Sequence, residues 1–321
     1  MSNRSQGVLL SGGSGWLGGA LQRALAGRGV PVLQLVRTGE VKLAEAPESN
    51  ARSKALLVAV PGQFPWNPAA NPPIVHRVVV EGLRAAIHLS GANAAGHRWS
   101  PAYKREMWAS RVRSTHALAT VLAGLKNPPK VLLVASATGI YGNRGDELLD
   151  EDSAPGAGFL ADLCREWEEA AQPAVAAGIR VVHLRFGVVL GPGGGALAKM
   201  LPLFRLGLGG RLGDGRQWMS WIGLTDAMGA MLFALENEAI AGPVNLTASE
   251  PVTNAEFTRA LGRAVHRPAL LPAPAFALRL AVGEMADEAL LASARVMPKK
   301  LTEAGFVFAQ PTVDAALAAA I

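Results

Sequence analysis

The chain has 321 residues, half of them hydrophobic, with 17% charged residues and a net charge of +6, which suits one large core or two modest ones and excludes a disordered or solvating chain. A single cysteine, Cys164, excludes an intramolecular disulfide and a cysteine-based metal cage and fits a reducing compartment. His76, His88, His97, His116, His183 and His266 show no H-x-x-x-H or H-E-x-x-H spacing, so no metal site is expected.

Elements read in chain order begin at once. Val8 to Leu10 form an apolar run that meets Ser11 to Gly15, and Trp16, Leu17, Leu21 and Leu25 then recur at helical spacing until Gly27 and Gly29. This strand, glycine turn and helix satisfies G-x-G-x-x-G at Gly13, Gly15 and Gly18, and G-x-x-G-x-x-G at Gly12, Gly15 and Gly18. A turn without side chains lets the backbone approach a pyrophosphate, whose charge is met by amide N–H groups at the helix N-terminus. Val30 to Val36 follow as the next strand. An acid at its end would accept from the ribose 2′-OH of NAD, whereas a cation would meet the 2′-phosphate of NADP. The residue is Arg37, so NADP is expected, with Glu40 keeping NAD as the runner-up.

Further apolar runs at Ala55 to Val60, Ala85 to Ser90, Val131 to Ser136 and Ile179 to Phe186 alternate with helical patterns. Continuous apolar strands of this kind imply burial on both faces, hence an α/β fold with a doubly wound parallel sheet. Its ligand should sit beyond the C-terminal strand ends, near Gly12, Arg37, Ser90 to Asn93, Ser136 and Gly187. After Gly187 the pattern turns to glycine loops and proline-punctuated helices, with Trp221 to Asp226 and Val244 to Thr247 returning to the sheet and Asp226 capping the next helix. Thr253 and Glu256 have capping-box spacing and start a helix running to about Val265. The expected division is a Rossmann domain at 1–186 and 218–250, with a smaller, mostly helical C-terminal lobe at 187–217 and 251–321.

No basic segment precedes an apolar leader and no apolar run has spanning length, so a cytoplasmic location is expected, neither secreted nor membrane-spanning. The cations are spread along the chain without aromatic interleaving, and neither a nucleic-acid nor a membrane partner is expected. Lys199, Arg205, Arg211 and Arg216 share one glycine-rich stretch that suits either an anionic substrate pocket or a solvated loop.

The turn Ser11 to Gly18, AIHLSG at Ala86 to Gly91, SATGIYG at Ser136 to Gly142, Leu184 to Gly187 and Trp221 to Asp226 together resemble the extended short-chain dehydrogenase/reductases, especially the nucleotide-sugar epimerases. A closer likeness covers essentially the whole chain, to an atypical NAD(P)-binding epimerase-like family of that superfamily with its own C-terminal domain of unknown function. Arg98-Trp99, Ser110-Arg111, Phe159 to Glu168, Gly194 to Ile222 and Phe276 to Ser293 look like that family's blocks. The resemblance implies an NADP(H)-binding oxidoreductase acting by hydride transfer on a small polar or phosphorylated substrate, and it leaves a homodimer open. The expected cofactor contacts are Gly12, Gly15, Trp16, Leu17, Gly18, Arg37, Leu89, Ser90, Gly91, Arg111, Ser136, Gly187 and Val188, and the expected substrate contacts are Asn93, Arg98, Lys199 and Trp221.

The superfamily's Y-x-x-x-K is absent. With Glu168 aligned to the glutamate that commonly follows the lysine, Leu160 stands at the tyrosine position and Cys164 at the lysine position, while Ala137 replaces the usual Ser/Thr. Phe159, Leu160, Leu163, Trp167 and Ala170 make an apolar helical face, on which Cys164 reads as a small buried hydrophobe. If chemistry survives, Tyr141 is the expected proton donor with Ser136 as its partner; the alternative is a non-catalytic NADP(H) sensor.

Overall fold

A computed structural model describes residues 7–37, 62–69 and 80–321. The expected strand at Ala55 to Val60, and with it Glu40 and His76, lies outside the described residues. Among the described residues seven strands form one parallel sheet: β1 (Val8–Ser11), β2 (Val32–Arg37), β3 (Gln63–Trp66), β4 (Ala85–His88), β5 (Val131–Ala137), β6 (Arg180–Phe186) and β7 (Gly242–Leu246). The order β7-β6-β5-β4-β1-β2-β3 reverses direction at β1, the position where open sheets of this kind leave a crevice. β1 and β4 are buried at every residue, which is why their sequences carry no polar alternation.

The chain forms two compact units, the first comprising 1–91, 109–134 and 170–181, the second 92–108, 135–169 and 182–321. The second therefore holds 92–108, 135–169, 182–186 and 218–250 of the expected Rossmann domain as well as the segments expected of a C-terminal lobe. In the first unit, β1 leads through the glycine turn into the helix Trp16–Gly27, whose Leu21 and Leu25 are fully buried. A π-helical turn at Ala109–Arg113 precedes the helix Ser114–Ala123.

In the second unit, Leu197, Trp221, Phe257, Leu261 and Leu317 make a core. The expected helix start at Thr253 is present as a full capping box: Thr253 N–H donates to Glu256 at 2.8 Å, and Glu256 N–H donates to Thr253 Oγ1 at 3.3 Å. Trp221 to Asp226 depart from expectation. Trp221–Gly223 pair with Val188–Leu190 in a separate two-stranded sheet. Asp226 does not cap a helix end: it lies in the first turn of the helix Leu224–Glu236, capped by Gly223. That helix is apolar around most of its circumference, with Ala227, Met228, Ala230, Met231, Leu232, Ala234 and Leu235 buried. The Asp226 carboxylate accepts the N–H groups of Ala309 and Gln310 at 2.8 and 2.9 Å, fastening the loop before the C-terminal helix Val313–Ala320. No helix among the described residues is long and apolar enough to cross a membrane.

Glycine is obligatory where helix meets turn. A Cβ on Gly18 would lie 2.1 Å from the Gly12 carbonyl oxygen and 2.7 Å from Gly13 Cα, backbone atoms that cannot swing aside. Gly18→Ala should cost about 1–3 kcal/mol in urea unfolding. Gly27→Ala, with nothing within 4 Å of the added carbon, should leave stability unchanged or slightly raised.

Candidate cofactor site and a buried polar network

Gly12 ends β1 at φ +80°, and a Cβ there would stand 2.6 Å from the Leu89 carbonyl carbon and 2.7 Å from Ser90 N. The turn after β1 thus lies directly on the turn after β4. A cavity of about 260 Å³ opens there, walled by Gly12, Ser14, Gly15, Leu35, Arg37, Trp66, Pro68, Leu89, Ser90, Gly91, Ser110 and Ser114. Gly15 caps the helix Trp16–Gly27 without a side-chain hydrogen bond, and the first turn holds no acid. The positive end of that helix is therefore offset by neither a capping side chain nor a carboxylate of its first turn. Arg37, at the exposed end of β2, puts a cation on the same wall.

Six expected cofactor residues, Gly12, Gly15, Arg37, Leu89, Ser90 and Gly91, meet at this cavity. Trp16, Leu17 and Gly18 form the adjoining first helical turn, and Arg111 packs against Gly91, where a Cβ would stand 3.3 Å from the guanidinium carbon. Sequence reading missed the walls from Ser14, Leu35, Trp66, Pro68, Ser110 and Ser114. The polar His88 at the end of the apolar run Ala85–His88 was the available signal for what lies beneath them.

His88 is fully buried and hydrogen-bonded to Ser11 through Nδ1 and to Ser114 through Nε2, the latter at 3.0 Å. Ser114 Oγ donates its one proton to the Ser110 carbonyl at 2.6 Å. It must therefore accept from His88 Nε2–H, which leaves Nδ1 to accept from Ser11. Trp66 sets its ring edge-on to the imidazole, centroids 5.9 Å apart. Burial pulls the His88 pKa down to about 3, so the ring is neutral.

Within the second unit, Ser136 and Tyr141 belong to a different construction. Ser136 Oγ donates to Glu168 at 2.7 Å. Arg185 forks onto both Glu168 oxygens, Nε at 2.8 and NH2 at 2.9 Å, and donates through NH1 to Tyr141 Oη at 2.9 Å. The Tyr141 hydroxyl faces two acceptors at 2.8 Å, the Asp150 carbonyl and Asn245 Oδ1. Asn245 in turn gives its Nδ2–H to the Met297 carbonyl and its backbone N–H to Glu151. Tyr141 is 0% and Ser136 2% exposed, so the hydroxyl expected to donate a proton to substrate is instead enclosed by protein partners. Burial pushes the Tyr141 phenol above its usual value, against the opposing pull of Arg185. Burial would lower the Arg185 pKa, but the hydrogen bonds and charge of Glu168 outweigh it and raise it.

Cys164 is buried with Ile140, Tyr141, Leu149 and Val296 on the inner face of the helix Phe159–Glu169, and Leu160 packs on Gly139 of the turn before Tyr141. Among the expected substrate residues, Trp221 is corrected to a core residue: it is 0% exposed, with its indole N–H on the Glu250 carbonyl at 3.0 Å. Asn93 accepts the Tyr103 hydroxyl at its carbonyl, Lys199 donates to the Ala95 carbonyl, and Arg98 NH1 donates to the Leu280 carbonyl at 3.1 Å. Gly187 and Val188 run beside Ser220, whose carbonyl accepts Val188 N–H at 2.8 Å. Ser136, Gly187 and Val188 are residues of the second unit and do not wall the cavity of the first.

Residues 8–246 match the model of the NAD dependent epimerase/dehydratase family, and residues 273–320 match a domain of unknown function. The chain is 44% identical over 310 residues to an epimerase family protein of Mycobacterium bovis, Mb2239, covering 97% of this chain and 96% of that one. It is 35% identical to the mouse epimerase family protein SDR39U1, over 97% of this chain and 98% of that one. The crystal structure of human SDR39U1 with NADPH superposes with a TM-score of 0.83 at 31% identity, covering 97% of this chain and 98% of that chain.

The buried neutral imidazole makes stability depend on acid. A histidine held below its unfolded pKa of about 6.5 supports the fold fully above that pH, and the support is lost as pH falls toward the folded value of about 3. Urea unfolding at successive pH values should show stability declining through this window, at up to about 1.4 kcal/mol per pH unit from this one group. In His88→Gln that part of the slope should vanish.

Proposed function

The chain belongs to the NAD-dependent epimerase/dehydratase family, and on that premise we propose that its first unit holds NADP(H) and that the protein is an epimerase-like oxidoreductase for a small polar or phosphorylated substrate. The observation that carries the reading is the cavity in which the Gly12 turn, an acid-free helix N-terminus and Arg37 share one wall. The residues fit the cofactor: Gly12 and Gly18 leave no room for a Cβ, the helix N-terminus suits a pyrophosphate, and Arg37 suits a 2′-phosphate. Leu35, Trp66 and Pro68 offer apolar surface for a base. NADPH in the structure of the human relative supports the same choice over NAD. When bound, the nicotinamide supplies or accepts the hydride.

A second reading, a non-catalytic NADP(H) sensor, is favoured by the enclosure of Tyr141 and Ser136 and by the apolar packing of Leu160 and Cys164. In the sensor, Tyr141 and Ser136 only brace the Glu168–Arg185 pair.

Arg37→Asp should weaken NADPH binding by about 1–3 kcal/mol in calorimetric titration and leave NADH affinity nearly unchanged; equal loss for both would remove Arg37 from the 2′-phosphate role. Tyr141→Phe leaves Arg185 and Asn245 each short of a partner, so it should lower stability by about 1–3 kcal/mol with NADPH affinity intact. Turnover of carbonyl compounds and sugar nucleotides, followed by nicotinamide absorbance in both proteins, separates the two readings. Activity present in the parent and abolished in the folded variant identifies an enzyme with Tyr141 as proton donor; no turnover in either, with different affinities for NADPH and NADP⁺, identifies the sensor.

A further inference from the structure

Eleven large apolar side chains are exposed among the described residues, and seven of them fall between Leu203 and Leu208 or between Leu270 and Leu280. Both stretches belong to the second unit. They run side by side: Leu271 N–H donates to the Gly209 carbonyl at 3.2 Å, Ala273 N–H to the Arg211 carbonyl at 2.9 Å, and Arg267 Nε to the Arg205 carbonyl at 3.2 Å. Leu206 is 71%, Leu270 80%, Phe276 72% and Leu280 76% exposed, and the helix Ala275–Val282 has no buried residue at all. Isolated exposed leucines need no explanation, but a contiguous group of protruding ones marks a surface that something covers.

The charge around them says what. Residues 203–216 and 263–282 carry six arginines, at 205, 211, 216, 263, 267 and 279, against one acid, Asp214. Arg263 and Arg279 are paired with Asp314 and Asp287. No carboxylate among the described residues forms an ion pair with Arg205, Arg211, Arg216 or Arg267. We infer that this face adsorbs to an anionic lipid bilayer, its leucines and Phe276 entering the interfacial layer while the arginines meet lipid phosphates. Side chains this exposed project outward rather than line a groove, which suits a soft lipid surface better than a partner helix. A second copy of the chain is disfavoured, because a two-fold contact through this face would set the same arginines against each other. The inference is independent of the cofactor reading, and it replaces the expectation of no membrane partner: adsorption needs no spanning segment.

The test is co-sedimentation of the full chain with vesicles of phosphatidylglycerol and phosphatidylcholine in equal parts, against pure phosphatidylcholine. Partitioning should be at least about tenfold stronger on the anionic vesicles and should weaken with added salt. The variants Leu270→Asp/Phe276→Asp and Arg205→Glu/Arg216→Glu should each lose about tenfold or more of that binding with melting temperature and NADPH affinity unchanged. Equal or absent partitioning on both vesicle types overturns the inference, as does binding that the folded variants retain. A dimer in sedimentation velocity that the aspartate variant dissociates also overturns it, since the face would then be covered by a second copy.

Discussion

The close approach of two turns governs the first unit. Gly12 has to adopt a left-handed conformation and lie against the Leu89–Ser90 backbone with no space for a β-carbon, and Gly18 has to let the helix settle on the Gly12 carbonyl. Both are steric demands on backbone atoms, which repacking does not relieve. They fix where the helix N-terminus emerges, beside the cavity that Gly15 and Arg37 line. His88 works from beneath the same place, joining Ser11 just before the glycine turn to Ser114 at the start of another helix.

The second unit is organised by a different force. Glu168 and Arg185 are about nine-tenths withdrawn from water, their side chains 13% and 7% exposed. Removing one member of such a pair typically costs about 3–5 kcal/mol, because the other charge stays behind. Tyr141 and Ser136 complete the solvation of that pair. Releasing the tyrosine hydroxyl would strand Asn245 and one arm of Arg185, at roughly 1–3 kcal/mol, against a total stability of about 5–15 kcal/mol for an ordinary domain. The hydroxyls of Tyr141 and Ser136 are thus committed to protein neighbours, while Leu160 packs on Gly139 and Cys164 lies in the buried cluster with Ile140 and Leu149.

Much of this could be read from the chain because it rests on local pattern. The buried strands appear as unbroken apolar runs, the glycine turn as spacing, the Thr253 capping box as a pair of residue types three apart, and Arg37 as the cation that closes its strand. What could not be read depends on partners distant in sequence. Nothing near Tyr141 announces Arg185 and Asn245, which come from β6 and β7. Ser110 and Ser114 reach the cavity from a π-helical turn and the residue after it, a geometry without a sequence period. Trp221 was misread because an aromatic ring in a motif looks like a contact for substrate until the core around it is seen. Asp226 was misread by a few residues of element boundary, which turned a loop fastener into an apparent cap.

The hydrogen bonds of Ser114 set the polarity of one wall of the cavity. Its proton is committed to the Ser110 carbonyl and one lone pair to His88, so only an acceptor remains for a guest. A hydrogen-bond donor such as a ribose hydroxyl or an amide would match that patch, and an oxyanion would not. The preference of that wall for donors is thereby set by a buried imidazole proton one layer beneath it.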